Sequence, residues 1–253
     1  MASGSSFLDH PGPLAFAHRG GAAEAPENSW SAFEHAVALG YRYVETDVRT
    51  TADAVPVAMH DPGILRVTGQ PGQVAKMTWR QLKTVTLRDG RDIPRLEDLL
   101  GAWPDLRWNI DVKRREAVGP LVEAIKRTSA GHRVLIAAFS GRRTEMVRAV
   151  LGPGLATGAG RWTVAVLVGT KVLPFVLFRP KAAAAQVPMR SNGISIVDNE
   201  FLRACHRVGL SVHVWTVNDP GQMARLLDLG VDGIMTDRPS TLKEVLAGRG
   251  QWS

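Results

Sequence analysis

Two histidines each follow a short run of apolar residues in the first quarter of the chain. His18 follows LAFA and precedes Arg19, and His60 ends the run that begins at Val55. Histidine titrates nearest neutral pH, and a pair can divide a displacement reaction. One delivers a proton to a leaving oxygen while the other takes a proton from the nucleophile. Arg19 adds a fixed positive charge that suits a phosphate.

Three carboxylates fall on two further segments that alternate in polarity. In YVETDVRT, the alternation places Glu45 and Asp47 on one face. In RWNIDVKR, it places Asp111 on one face with Asn109 and Lys113. Converging carboxylates raise one another's pKa values, whereas hard divalent ions seek oxygen ligands of this kind. The pattern predicts that the three acids hold a metal ion and that Lys113 is a second cation for a phosphate.

Each of these residues also has an ordinary structural interpretation. The two acids of the ETD segment could pair with Arg42 or Arg49, and an Asp-x-Lys pattern on a strand is usually an ion pair. A lone histidine is more often structural than catalytic. The histidines interpreted as structural are His35, His132, His206 and His213. The catalytic interpretation is favoured for the others because they all fall at predicted strand ends of one face.

Two further residues near these segments are ambiguous. Asn28 could be the N-cap of a helix beginning at Ser29, or it could form a substrate wall or a support for the site. Trp215 in SVHVWTVN fits core packing and a wall facing the substrate equally well.

The elements that must position these residues alternate between β-branched runs and helical patterns. Eight such units in about 250 residues have the size of a (β/α)₈ TIM barrel, whose active site lies at the C-terminal ends of the strands. The fold class is therefore α/β. The predicted strands are LAFAH, RYVETDV, RWNIDVK, RVLIAAF, GLATGA, GISIV, SVHVWTV and VDGIMTD.

Two segments depart from the regular alternation. VPVAMHD, residues 55–61, lies too close to the second strand for a parallel crossover and predicts an extra antiparallel hairpin. From Pro62 to Leu96 the periodicity is weak, which predicts a small insertion over one end of the barrel. No internal repeat or linker interrupts the chain, so we expect one domain over residues 1–253 with a core of about 14–246.

The charge balance narrows the classes of partner. With 31 Lys and Arg against 24 Asp and Glu, the net charge of +7 would suit nucleic acid, an anionic membrane or phosphorylated substrates. The basic residues are scattered and form no recognised nucleic-acid motif, so no nucleic-acid partner is expected. Cys205 is the only cysteine, which excludes an intrachain disulfide. The N-terminal segment lacks the pattern of a signal peptide, and we expect a cytoplasmic protein.

The most apolar run extends from Trp162 to Phe178 and has two interpretations. Gly169, Lys171 and Pro174 interrupt it, so it falls short of a membrane span. Val164, Val166 and Val168 could form buried structure. Alternatively, residues 162–181 could form an apolar lip for peripheral membrane contact, with anionic headgroups facing the basic residues of the segment. Those basic residues are Lys171, Arg179 and Lys181.

Several of these segments together resemble the ordered motifs of the glycerophosphodiester phosphodiesterase family. The segments are AHRGGAAEAPENSWSAF, the ETD strand, MHD, the NIDVK strand, VHVWTVN and GVDGIMTDRP. They extend from about Leu14 to Leu246, and their succession is far more specific than any single motif. The resemblance implies a barrel enzyme that hydrolyses glycerophosphodiesters to glycerol 3-phosphate and an alcohol with Mg²⁺ or Ca²⁺. Attack by water or by a neighbouring substrate hydroxyl is compatible with these motifs.

The resemblance also implies roles by position. The implied roles are acid and base for His18 and His60, phosphate contacts for Arg19 and Lys113, and metal ligands for Glu45 and Asp47. The family's third acid is commonly Glu, whereas this chain has Asp111, which is shorter by roughly 1.5 Å. Aspartate here resembles the related sphingomyelinase D enzymes. Lysophospholipase D or sphingomyelinase D-like activity on lipid phosphodiesters is therefore the alternative. The sequence leaves the substrate alcohol, the order of the histidine roles and the oligomeric state open.

Overall fold

The computed structural model describes residues 6–169, 180–191 and 193–252. Its strands and helices alternate along most of the chain. The strands are β1 (Leu14–Ala17), β2 (Tyr43–Thr50), β3 (Pro56–Ala58), β4 (Arg107–Val112), β5 (Val134–Ala137), β6 (Ala156–Thr157), β7 (Ala184–Pro188), β8 (Arg190–Ser191), β9 (Ile194–Ser195), β10 (Ser211–Trp215) and β11 (Gly233–Thr236). The α-helices are α1 (Trp30–Ala38), α2 (Leu65–Thr68), α3 (Trp79–Leu82), α4 (Leu96–Ala102), α5 (Val118–Arg127), α6 (Gly141–Leu151), α7 (Arg161–Gly169), α8 (Asn199–Arg207), α9 (Pro220–Leu229) and α10 (Pro239–Gly248).

Eight of the strands form a parallel ring. Hydrogen-bonded neighbours follow the order β6, β5, β4, β2, β1, β11, β10 and β7. A parallel bridge between Gly158, just after β6, and Ala184 of β7 brings the two ends together. The (β/α)₈ barrel predicted from the sequence is confirmed. No helix in the described part of the chain is long and apolar enough to cross a lipid bilayer.

The extra hairpin and the insertion are both present. β3 pairs antiparallel with β2, with Val48 opposite Ala58 and Thr50 opposite Pro56. The chain then makes an excursion, residues 62–95, that contains α2 and α3 and returns to the barrel at α4. A separate apolar cluster packs beneath it. The buried members of this cluster are Val57, Met59, Ile64, Val74, Leu82, Val85, Leu87 and Ile93.

One predicted strand is wrong. GISIV does not form the sixth barrel strand, because Ile194–Ser195 pairs instead with Arg190–Ser191 in a two-stranded hairpin. The barrel position is taken by Ala184–Pro188, which pairs with β10. Ala184 and Ala185 are fully buried. Alanine has a weak intrinsic preference for strands, so the tight packing of this position decides its structure rather than local propensity.

The interior of the barrel is apolar at its N-terminal end. Phe7, in a 3-10 turn before β1, is fully buried, and its carbonyl accepts a hydrogen bond from the Tyr43 hydroxyl at 2.9 Å. Phe16 lies next to both rings, 6.5 Å from Phe7 and 5.3 Å from Tyr43 between centroids. Because this end is filled, polar side chains inside the ring gather towards the C-terminal ends of the strands.

His213 on β10 is enclosed within this packing, as the structural interpretation predicted. It is fully buried, its ring lies 5.0 Å from that of Phe16, and Gln186 Nε2 lies 3.4 Å from its Nδ1. Burial disfavours the imidazolium and lowers the pKa of His213 to about 4.

This depressed pKa predicts a pH-dependent stability. Between about pH 4 and pH 6.5 the unfolded chain binds a proton at His213 that the folded chain does not, so stability is complete above this window and is lost as pH falls. We expect a loss of about 2 kcal/mol in unfolding free energy between pH 7 and pH 5. Urea titrations at several pH values measure how the unfolding free energy depends on pH. His213→Gln should remove this part of the pH dependence, whereas His206→Gln at an exposed site should retain it. Equal slopes in wild type and His213→Gln would contradict the assignment.

Candidate active site

His18 stands at the C-terminal end of β1 and is held from one side. Its Nδ1 lies 2.6 Å from Oδ1 of Asp237, which follows β11, and Nδ2 of Asn218 donates to the other Asp237 oxygen at 3.0 Å. Burial favours the neutral acid, but these two hydrogen bonds outweigh it and hold the pKa of Asp237 below its usual range. An ionised Asp237 only accepts, so Nδ1 of His18 carries the hydrogen. His18 Nε2 is then left facing the site, 3.7 Å from Glu45 Oε2.

The turn after His18 bends the chain back towards β2. Arg19 has a φ of 51°, and Gly20 and Gly21 follow at 82° and 111°. A Cβ on Gly20 would lie 2.7 Å from that of Ala32, so glycine is required there. This bend allows the backbone N–H of Arg19 to donate to Oε2 of Glu45 at 3.0 Å.

The acids and cations form one buried cluster across β2 and β4. Asp47 is paired with Asp111 in the strand register. Nζ of Lys113 lies 2.6 Å from Asp47 Oδ1 and 2.6 Å from Asp111 Oδ2. Nε of Arg19 lies 3.1 Å from Asp47 Oδ2. The Asp-x-Lys pattern therefore is an ion pair, and it lies within the cluster that the sequence predicted.

The cluster gives its members different pKa values. Burial opposes ionisation of Asp47, but the charges of Lys113 and Arg19 outweigh it and lower the pKa of Asp47. Among the described residues, only His18 lies within salt-bridge distance of Glu45, at 3.7 Å. Burial and the negative charge of Asp47 raise the pKa of Glu45 to about 7. Two neighbouring carboxylates on one strand therefore differ in their tendency to hold a proton.

Asn28 is not the N-cap of α1. Ser29 has that role, since its hydroxyl accepts a hydrogen bond from the Ala32 N–H at 3.1 Å. Asn28 has a φ of 54° and turns its side chain towards β2. Its Nδ2 donates to Asp47 Oδ2 at 3.1 Å, and its Oδ1 accepts from the Thr46 hydroxyl at 2.8 Å. The buried amide therefore orients Asp47.

His60 reaches the same end of the barrel from β3. The Met59 N–H donates to the Asp47 carbonyl at 2.9 Å, which fixes the backbone just before His60. His60 Nδ1 lies 2.7 Å from Asp61 Oδ1. The hydrogen bond from Arg66 lowers the pKa of Asp61 to about 2, so this carboxylate also only accepts. The side chain of His60 is 34% exposed and that of His18 is 14% exposed.

Trp215 lies at the C-terminal end of β10 and is half-buried, so it both packs on the core and reaches the rim. Its ring lies 6.4 Å from that of Phe139, which follows β5 and is 62% exposed. The backbone N–H of Arg161 donates to the Phe139 carbonyl, which brings the start of α7 to the same part of the rim. Trp162 is 85% exposed there.

The apolar run from Trp162 to Phe178 is helical over its first part. Val164 and Val168 pack against a buried cluster, whereas Val166 is 40% exposed. The expectation that all three valines are buried is wrong, because helical rather than strand spacing separates their directions. Lys171, Pro174 and Arg179 lie outside the described residues.

The acid cluster fits a divalent ion in its ligand chemistry. Oδ1 of Asp111 is buried with no hydrogen-bond partner among the described residues, and Glu45 has its raised pKa. A divalent cation bound here would give Oδ1 of Asp111 a partner, and its positive charge would lower the pKa of Glu45. In residues 6–169, 180–191 and 193–252, no three acidic, histidine or cysteine side chains are arranged to hold an ion together. Lys113 bridges Asp47 and Asp111 instead.

Several functional contacts come from residues that the sequence analysis did not select. Asp237 and Asp61 are both visible as acids at segment ends, in TDRP and next to His60. Their pairing with an imidazole depends on the turn that follows each strand. The polarity pattern of the strand does not predict the geometry of that turn. The other missed partners are Asn218, Glu27 and Arg66.

Comparisons with known proteins identify the family of this chain. The model of the glycerophosphoryl diester phosphodiesterase family matches residues 18–154 and 155–241. A relative from Mycobacterium tuberculosis (strain ATCC 25618 / H37Rv), named "Probable glycerophosphodiester phosphodiesterase 2", is 41% identical over 252 residues, covering 97% of this chain and 95% of that protein.

Two solved structures share the fold. A glycerophosphodiester phosphodiesterase from Agrobacterium tumefaciens has a TM-score of 0.76 at 22% identity, covering 93% of this chain and 100% of its own. A phosphodiesterase from Oleispira antarctica, solved in complex with the product sn-glycerol-3-phosphate, has a TM-score of 0.76 at 22% identity, with 93% and 97% covered. The family match and the relative at 41% identity show that this chain is an enzyme of the glycerophosphoryl diester phosphodiesterase family.

Proposed function

We propose that this enzyme hydrolyses glycerophosphodiesters to glycerol 3-phosphate and an alcohol, with His18 and His60 as the general acid and base. The observation that carries the proposal is that both imidazoles have Nδ1 anchored on a carboxylate beside a cluster of cations. Asp237 anchors His18 at 2.6 Å and Asp61 anchors His60 at 2.7 Å.

The anchoring carboxylates fix which nitrogen reacts. Because an ionised carboxylate accepts the Nδ1 hydrogen, Nε2 of each ring is the atom that releases or takes the reacting proton. One Nε2 takes the proton of the attacking oxygen, and the other gives a proton to the leaving alcohol oxygen. Because both rings keep a hydrogen on Nδ1, each Nε2 can be protonated or unprotonated. One ring therefore gains a proton in the same cycle in which the other loses one.

Arg19 and Lys113 supply the positive charge for the phosphodiester. Both are largely buried, with 18% and 13% of their side chains exposed. Their partners Asp47 and Asp111 hold them in place, which pre-organises the charges before the substrate arrives. Burial opposes the charge of Lys113, but the two aspartates raise its pKa, so it stays cationic.

We also propose that Glu45, Asp47 and Asp111 hold Mg²⁺ or Ca²⁺. This is supported by the unpartnered Oδ1 of Asp111, the raised pKa of Glu45 and the oxygen-only chemistry of the three acids. When bound, such an ion supplies charge stabilisation for the phosphoryl oxygens during the displacement. Asn28 and the Arg19 backbone N–H keep Asp47 and Glu45 in orientation for it.

The direct test is release of glycerol 3-phosphate from glycerophosphocholine, measured with a coupled dehydrogenase and with Mg²⁺ or Ca²⁺ added. A His18→Ala, His60→Ala double variant purified in the same way controls for contaminating enzymes. Absence of release by folded wild type from glycerophosphocholine, glycerophosphoethanolamine and glycerophosphoglycerol would refute the proposal.

A second candidate substrate, a lysophospholipid, is favoured by the exposed aromatic residues on the rim. Phe139 and Trp162 are 62% and 85% exposed, Phe139 lies beside Trp215, and the N–H of Arg161, next to Trp162, donates to the Phe139 carbonyl. Arg161 and Lys181 are exposed and basic nearby in the chain. Apolar residues bordered by basic ones fit the acyl chain and the anionic surface of a lipid layer.

We therefore expect lysophospholipid hydrolysis in addition to activity on soluble diesters. A Phe139→Ser, Trp162→Ser double variant should lower the ratio of lysophosphatidylcholine to glycerophosphocholine turnover about tenfold, since each ring loses apolar contact with the acyl chain. Binding of wild type to anionic vesicles should weaken as salt rises.

The matched control is Val150→Ser, which removes an apolar side chain that is 55% exposed on α6. It should leave the substrate ratio unchanged. If the folded double variant has the same ratio as wild type, the rim does not contact an acyl chain, and the substrate is a small soluble diester.

A further inference from the structure

Arg66, on α2 of the excursion, holds two carboxylates from different parts of the chain. Its Nε donates to Asp61 Oδ2 at 2.6 Å. Its Nη1 and Nη2 donate to the two oxygens of Glu27 at 2.7 Å each, a bidentate contact. Glu27 belongs to the loop before α1, so this guanidinium connects the excursion to the barrel.

Each of the two carboxylates also holds a residue of the proposed reaction. Asp61 binds Nδ1 of His60 through its other oxygen, Oδ1, at 2.7 Å. Glu27 accepts from Nη1 of Arg19 at 3.3 Å. A continuous series of hydrogen bonds therefore connects an imidazole of the proposed acid–base pair to a proposed phosphate-binding cation.

The arrangement around His60 repeats the arrangement around His18 with one difference. Asn218 fixes Asp237, which fixes His18, and all three follow barrel strands. His60 lies outside the ring, and the side chains of His60 and Asp61 are 34% and 30% exposed, so this pair is less enclosed than His18 and Asp237 at 14% and 23%. Arg66 occupies the place in the His60 series that Asn218 occupies in the His18 series.

We propose that Arg66 is a positioning residue, which keeps His60 aligned with Arg19 by binding Asp61 and Glu27 together. The proposal rests on the phosphodiesterase reaction proposed above. A planar guanidinium meets the two carboxylates with separate N–H groups, which a lysine ammonium cannot reproduce. The Glu27 side chain is 12% exposed and that of Arg66 is 50% exposed, so the bidentate geometry rather than burial distinguishes this contact from an ordinary surface ion pair.

The test compares Arg66→Ala and Arg66→Lys with Arg91→Ala in the glycerophosphocholine assay. Arg91 is the matched control, because it also lies in the excursion and forms a 2.6 Å ion pair, with Glu34, away from the site. We expect Arg66→Ala to lower kcat about 10- to 100-fold, the usual range for a group that orients a reacting residue, with KM within about threefold. The kcat of Arg66→Lys should lie between those of wild type and Arg66→Ala. Guanidinium ion in solution should restore part of the activity of Arg66→Ala.

A second readout follows the ring itself. In ¹⁵N spectra His60 should show one predominant neutral tautomer with hydrogen on Nδ1 in wild type and Arg91→Ala, and a mixture of tautomers in Arg66→Ala. The proposal is overturned if Arg66→Ala has the kcat of Arg91→Ala, or if its His60 tautomer is unchanged. Should Arg66→Ala not fold, the kcat of Arg66→Lys decides, and a wild-type value overturns the proposal. An inactive wild type would instead refute the proposed function.

Discussion

Replacement of His18 or His60 by alanine is expected to lower turnover on glycerophosphocholine by about 10²- to 10⁴-fold while the fold is retained. The proposed mechanism transfers both protons through Nε2 of an imidazole whose Nδ1 is held by a carboxylate, so we expect neither transfer to have a substitute when its ring is removed. The more enclosed His18 should show the larger loss, since its side chain is 14% exposed and that of His60 is 34% exposed.

The control for this prediction is another histidine with the same kind of partner. His206 Nε2 lies 2.7 Å from Asp232 Oδ2, just before β11 and therefore at the opposite end of the barrel. His206→Ala removes an equivalent ion pair, so it should cost stability without reducing kcat. Wild-type turnover in folded His18→Ala or His60→Ala would remove that residue from the reaction.

Removal of divalent metal is expected to have an effect of similar size. Chelation should reduce activity by about 10²-fold or more, and addition of Mg²⁺ or Ca²⁺ should restore it, because Oδ1 of Asp111 has no hydrogen-bond partner among the described residues and the pKa of Glu45 is raised, so both acids suit an added cation. Glu45→Gln should weaken ion binding in calorimetry, since it removes one negative ligand and leaves the hydrogen-bonding shape of the side chain.

Glu34→Gln is the matched variant for the metal experiment. Glu34 is 49% exposed and pairs with Arg91, so its neutralisation should alter neither ion binding nor turnover. Protein shown by elemental analysis to be free of metal, yet fully active, would disprove the proposed role of the three acids.

The residues of β2 and β4 explain why much of the barrel and of the acid cluster is predictable. Both strands alternate cleanly, so Glu45 and Asp47 are assigned to one face by period alone. The hairpin that carries His60 is likewise set by chain length, because a turn of a few residues after β2 excludes a parallel crossover. Strand alternation and the length of a connection are both set by nearby residues, so they can be predicted from the sequence.

What could not be predicted depends on contacts between distant segments. Asp237 lies 219 positions from His18 in sequence, and Arg66 lies 39 positions from Glu27. Asn28 has the side chain of a helix cap, but its positive φ turns that side chain to Asp47. In β7 the strand begins with two alanines, Ala184 and Ala185, which are fully buried although alanine has little preference for strands. None of these outcomes is encoded in the periodicity of the segment concerned.

The excursion has its own apolar cluster, separate from the clusters of the barrel. A segment that packs around its own apolar cluster is a unit that can open while the remainder of the chain stays folded. His18 follows β1 and His60 lies just before the start of this segment. Opening of the segment can therefore displace His60 while His18 keeps its position. We therefore expect heating or limited proteolysis to abolish activity before the barrel unfolds. Loss of turnover should accompany hydrogen exchange in residues 62–95 rather than the main calorimetric transition.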